Sequence, residues 1–214
     1  LSGFISGATT TVTMSLFSSL QDQRHELQQV YLKVMEFTAL VVFPIFLGIL
    51  TISSELITLL FGVGWDPSGS ILMVLAPTGI ILSMLHYNEN IVISAGHPQI
   101  VFRFRLYNTL FRVMLISLVF SLGILPIALA VLLSSLILMM SSQIVVKKII
   151  RVSYRNVLTT IGYPFLAGAL MASGGMILKP VVFPGGYSFL STLSIILIAG
   201  LLYLGVIYLI RPKV

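Results

Sequence analysis

Residues 83–112 read SMLHYNENIVISAGHPQIVFRFRLYNTLFR, an apolar stretch that carries charges which the rest of the chain avoids. Gly96 suits the left-handed end of one helix and Pro98 the first turn of the next, so the stretch reads as the turn of a helical hairpin. Before the turn, His86, Glu89 and Asn90 share a face by i, i+3, i+4 spacing. After it, Arg105, Asn108 and Arg112 repeat that logic at i, i+3, i+7. In an antiparallel hairpin turning near Pro98, Glu89 stands level with Asn108, one turn from either arginine.

The surrounding chain fixes the solvent of that hairpin. It is 57% hydrophobic and only 8% charged, with a mean hydropathy of +1.09. A water-soluble domain carries roughly a quarter of its residues as charges. The fold class is therefore all-α, a polytopic transmembrane helical bundle, because a helix satisfies its own backbone in lipid. Hydropathy and breakers divide the chain into seven apolar segments near 1–20, 34–54, 70–93, 104–122, 126–147, 158–178 and 188–210. Short loops make successive segments antiparallel neighbours. The polar run SLQDQRHELQQVYLK is expected to continue the second helix, while LLFG with Trp65 forms a short interfacial helix and the chain restarts at Pro67. Pro44 and Pro164 are expected to kink their helices, and Gly3 with Gly7 permits close approach in the first segment.

Charge gives orientation. Placing Arg24 and Lys33 in the cytoplasm also places there Arg103, Arg105, the run KKIIRVSYR at 147–155, Arg211 and Lys213, leaving Lys179 opposite. The reading is a multi-pass protein of the inner (plasma) membrane with a cytoplasmic C-terminus. The net charge of +6 fits basic cytoplasmic loops, and without any nucleic-acid-binding signature it points to membrane lipid and phosphates as partners, not to nucleic acid. No cysteine is present, and three scattered histidines lack carboxylates at ligand spacing, so neither a metal nor another cofactor is expected. Short external loops and the absence of paired catalytic groups speak against an enzyme.

Two readings of the hairpin stand side by side. In the first, Arg103 and Arg105 reach to the headgroups and a Glu89–Arg112 ion pair locks the two helices. In the second, Arg112, Arg105, Glu89, Asn108, Asn90 and His86 line a polar cavity whose guanidiniums meet an anionic group such as a phosphate. Glu36 lies shallow and reads as an interfacial residue, with proton or cation coupling as its alternative, a role Glu89 could share.

The order FSSLQDQRHELQQVYLKVMEFTALVVFPIFLGILTISSELITLLFGVGWDPSGSILMVLAP, followed by NIVISAGHPQ, carries a resemblance. Its elements are Ser19-Leu20-Gln21, Tyr31 with Lys33, Pro44 with Gly48, Glu55, Phe61, Gly62 and Trp65, then Asn90 with Ala95-Gly96-His97-Pro98. Over about 17–100 the chain resembles the second half of polysaccharide-exporting flippases of the multidrug/oligosaccharidyl-lipid/polysaccharide superfamily, in the lipopolysaccharide and teichuronic acid translocase branch. The resemblance implies the C-terminal lobe of a two-lobed exporter that moves a polyprenyl-diphosphate-linked glycan across the inner membrane. Residues 1–150 would then be most of that lobe and 151–214 two trailing helices, with the N-terminal lobe of the same protein as partner. Opening on Leu1 within apolar sequence, the chain reads as a piece of a longer protein. A drug exporter, an exporter of a lipid-linked peptidoglycan precursor and a non-transporting membrane scaffold are the alternatives.

The orientation is open to direct test. A cysteine in place of Ser68, beside Trp65, is expected to react with an impermeant maleimide in intact cells; labelling only after permeabilisation would invert the arrangement.

Overall fold

The computed structural model describes residues 13–20, 23–182 and 189–210. Residues 13–19 are helical. After them come α1 (Arg24–Phe61), α2 (Asp66–Ser94), α3 (Pro98–Val119), a 3-10 turn (Phe120–Leu122), α4 (Ile124–Ile150), α5 (Tyr154–Val182) and α6 (Phe189–Ile210). These six helices are each long and apolar enough to cross a membrane, and the chain is an all-α, multi-pass helical bundle. Gly3, Gly7, Gln21, Arg211 and Lys213 lie outside the described residues, and so does most of the first apolar segment.

The sequence signals for the helix ends correspond to bonds. At the end of α2, Gly96 takes φ +81°, its N–H donates to the Ile93 carbonyl (2.9 Å), and the His97 N–H donates to the Val92 carbonyl (3.1 Å). This pair of bonds closes the last turn in the manner of a left-handed C-terminal cap, and Pro98 then opens α3. Gly123, at φ +106°, makes the tight turn between α3 and α4. The polar run before the second apolar segment is helical from Arg24, as its composition led one to expect.

At 38 residues α1 would be about 57 Å long if straight, well beyond a hydrocarbon core of about 30 Å. It breaks at Ile52 (φ −108°, ψ 20°), so the crossing part is Arg24–Thr51 and a separate short helix leads to Phe61. Phe61 and Trp65 then touch, ring centroids 5.5 Å apart, and α2 begins at Asp66 with Pro67 in its first turn.

The expected kink at Pro44 is not where α1 loses its helical dihedrals. Beside Ile52, the Thr51 hydroxyl donates back to the Leu47 carbonyl (2.8 Å) and Ser53 to that of Leu50 (3.4 Å), and such bonds loosen a helix locally. Pro44 has a different consequence. It cannot donate to the Leu40 carbonyl one turn back, and that carbonyl accepts instead from the Tyr203 hydroxyl of α6 at 2.9 Å. The proline thus creates the acceptor on which the last helix docks.

Packing does not follow chain order. Each helix meets the next in the sequence α3, α4, α2, α1, α5, α6, and α2 touches α3 only slightly although a short turn joins them. The core gathers Tyr31, Met35 and Phe43 of α1, Met84, Tyr87 and Ile91 of α2, and Val146 and Ile150 of α4. Phe17, from the helical stretch before α1, is fully buried there too. Gly79 lets α1 and α2 approach: a Cβ at that position would lie 2.0 Å from the Phe46 ring. By contrast α3 has no fully buried residue.

Replacing Tyr203 by Phe is expected to lower the stability of the full-length protein by about 1–2 kcal/mol, because the Leu40 carbonyl loses its donor. In a Pro44→Ala background the backbone supplies a donor again and the same replacement should cost little. Thermal melting of the four variants in detergent reads this coupling; equal losses in both backgrounds would refute it.

Candidate functional site

The charged face of α3 turns toward α4 and the C-terminal part of α2. Arg105 meets Glu89 with two parallel bonds, Nε to Oε1 at 2.8 Å and Nη2 to Oε2 at 2.6 Å. The Glu89 side chain is 9% exposed and that of Arg105 56%, so the arginine is the half of the pair that faces outward. The expected Glu89–Arg112 lock is therefore corrected: Glu89 pairs with Arg105. Sparse contact between α2 and α3 leaves only the part near the turn close enough for an ion pair.

Arg112 stands about 20 Å along α3 from Pro98, well into the hydrocarbon. Its Nε donates to the Ser134 hydroxyl (2.8 Å) and its Nη2 to the Ser135 hydroxyl (3.2 Å) and Asn108 Oδ1 (3.5 Å). Asn108 in turn donates to the Ser134 carbonyl at 2.6 Å. Two serines of α4 thus hold the guanidinium by neutral groups, and among the described residues no carboxylate pairs with it. The missing signal in the sequence was SS at 134–135, which looks like an ordinary small-residue pair in an apolar helix.

His86, Arg105, Asn108 and Arg112 line one hollow of about 170 Å³, closed on its apolar side by Leu82, Leu85 and Leu138. Glu89 reaches this group through Arg105. Asn90 does not line the hollow: it is buried, and its amide nitrogen has no partner among the described residues. Arg103 is exposed and lies outside it as well. Glu36 is elsewhere, accepting a 2.5 Å bond from the Tyr163 hydroxyl of α5. A larger hollow of about 350 Å³ between α1, α5 and α6 has no charged group in its lining.

Two polar clusters escaped sequence reasoning. In the first, the fully buried Tyr31 donates to Asn88 Oδ1 (2.7 Å), while Asn88 Nδ2 donates to Ser142 (2.9 Å) and Gln143 Oε1 (3.0 Å). This ties α1, α2 and α4 together in the core, and by fixing α4 it fixes the serines that hold Arg112. In the second, Glu55, just past the second apolar segment read from the sequence, lies buried in α1 and pairs with Lys179 of α5 at 2.8 Å. The pair puts the far end of α1 beside the far end of α5, as alternating spans require. Only tertiary contact reveals either cluster, since the partners are far apart in the chain. No group of three or more metal-ligating side chains occurs among the described residues.

The family model described as "Polysaccharide biosynthesis protein" matches residues 1–70. Over 158 residues the chain is 23% identical to the lipopolysaccharide biosynthesis protein WzxC of Escherichia coli (strain K12), covering 73% of this chain and 32% of that protein. Over 98 residues it is 28% identical to the teichuronic acid biosynthesis protein TuaB of Bacillus subtilis (strain 168), covering 46% of this chain and 20% of that protein. Over these stretches the chain is similar to polysaccharide biosynthesis proteins. Its aligned stretches span about a third or less of the length of these relatives. No solved structure matches. The family match ends before the charged face of α2, so the candidate site rests on its own geometry.

Arg105→Ala is expected to destabilise the full-length protein by about 1–3 kcal/mol, since it leaves the Glu89 carboxylate buried and unpaired. Adding Glu89→Gln should recover most of the loss. Melting temperatures of the single and double variants check this; a double variant no more stable than Arg105→Ala would show that the pair is not the cause.

Proposed function

We propose that the whole protein flips or exports a polyprenyl-diphosphate-linked oligosaccharide across the inner membrane for surface polysaccharide assembly. In this reading residues 1–150 belong to its C-terminal lobe and 151–214 are two trailing helices. The C-terminus is cytoplasmic, and the N-terminal lobe of the same protein closes the pathway over the face of α3.

The observation that carries the reading is the unneutralised guanidinium of Arg112 at membrane depth, held in a hollow by serine and asparagine groups. A charge in hydrocarbon costs about 2.5–3.5 kcal/mol or more, so it calls for water or an opposite charge. Glu89 is already committed to Arg105. A diphosphate is an anion that a membrane lipid carries to that depth, and a planar guanidinium can donate to it in pairs. Arg105, more than half exposed, is the second donor. His86 and Asn108 supply neutral polar contacts around it, and Asn90 stays behind the site. The names of the relatives, which concern lipopolysaccharide and teichuronic acid biosynthesis, favour a glycan as the cargo attached to that diphosphate.

The expected mechanism is electrostatic capture. The diphosphate replaces the missing counter-ion of Arg112 while the glycan occupies the wider space between lobes. Arg112→Ala in the full-length protein is expected to abolish glycan export with membrane levels near normal, and Arg112→Lys to restore it only in part, because a point charge replaces a fork. Export measured as surface glycan tests this; full export by Arg112→Ala would remove the role.

A further inference from the structure

A second hollow, of about 810 Å³, opens at the end of the bundle where α1 begins, α2 turns into α3 and α4 ends. Arg24 comes from the first of these, His97 from the second and Lys148 from the third, while Leu27, Phe104 and Ile149 are among its apolar walls. Its lining includes no carboxylate among the described residues. Three basic or donor side chains thus converge from three separate helix ends on one volume, within the range of small-molecule sites.

The basic run at the end of α4 is differentiated, not a uniform charged tail. Lys147 lies over the Tyr154 ring, 4.3 Å from its centroid, whereas Lys148 lines the hollow. Both lysines complement the C-terminal end of the α4 dipole, which amounts to about half a charge and is too small to neutralise Lys148 together with Arg24.

The apolar side of the hollow continues. Phe104 also lines a groove with Tyr107, Phe111 and Ile137 along the α3–α4 seam, on a helix that has no fully buried residue. A basic rim joined to an apolar groove matches a ligand with a phosphate at one end and a hydrocarbon chain at the other. We propose that this hollow binds the phosphate of an anionic phospholipid, with its acyl chain laid in the α3–α4 seam. Zwitterionic lipids bind less well, because no acid among the described lining residues meets their ammonium group. Free phosphate gains nothing from the seam. The basic hollow shares no lining residue with the Arg112 hollow, which the seam meets only at Asn108 and Leu138, and it does not depend on what the protein exports.

The test uses the purified full-length protein and fluorescent phosphatidylglycerol or phosphatidylcholine in mixed micelles. The parent should prefer phosphatidylglycerol. Arg24→Gln with Lys148→Gln should weaken that binding by at least about tenfold, at an unchanged melting temperature and with phosphatidylcholine unaffected. Lys147→Gln should change it by less than about twofold, and Arg24→Lys with Lys148→Arg should keep it. Equal binding of the two lipids by the parent, or undiminished phosphatidylglycerol binding by the double glutamine variant, overturns the proposal. So does complete displacement by millimolar inorganic phosphate, which would make the site one for a soluble anion. Tighter binding of a polyprenyl phosphate, weakened equally by the double variant, would reassign the hollow to the carrier lipid and also overturn it.

Discussion

In hydrocarbon an unpaired polar group has no water to turn to, and each one left over costs several kcal/mol. That constraint explains most of the specific contacts in this bundle. Pro44 frees the Leu40 carbonyl, and Tyr203 of α6 answers it. Asn88 would be costly in the core alone, but Tyr31, Ser142 and Gln143 surround it and join three helices. Serine hydroxyls along α4 donate back to carbonyls of the preceding turn and remain free to accept, which is how Ser134 receives Arg112. Since apolar contacts between helices gain little over contacts with lipid tails, these polar joints define which helices meet.

Charge follows the same rule with higher stakes. Glu55 with Lys179 and Glu89 with Arg105 are the two ion pairs among the described residues, one toward each end of the bundle. Each buries the carboxylate more deeply than its cation. Arg112 breaks the pattern, because neutral donors and acceptors satisfy its geometry without cancelling its charge.

The order of packing leaves this residue half-buried on a helix at the edge of the bundle. With α4 pressed between α2 and α3, the third helix sits at the margin of the bundle, attached mainly through its polar face. Its exposed side carries Leu106, Leu110, Val113 and Leu118, which suits lipid or another part of the protein. At the other margin α6 is held to α1 and α5 by the Tyr203 bond and by packing of Ala199 and Val206 near Ala167 and Met171.

The sequence by itself determined the class of fold, the helix ends at Gly96, Pro98 and Pro67, and the face shared by Arg105, Asn108 and Arg112. Those features depend on hydropathy, on turn residues and on helical periodicity, all of which act over a few neighbouring residues. It also supplied the likeness to polysaccharide proteins through the ordered elements of residues 17–100. Tertiary structure alone decided that Glu89 belongs to Arg105 and not to Arg112, that α4 separates α2 from α3, and that Pro44 serves as a docking point and not as the break in α1. Those outcomes depend on which helix lies beside which. Apolar segments of similar length do not encode that order locally, and it emerges only when buried polar groups meet across the bundle.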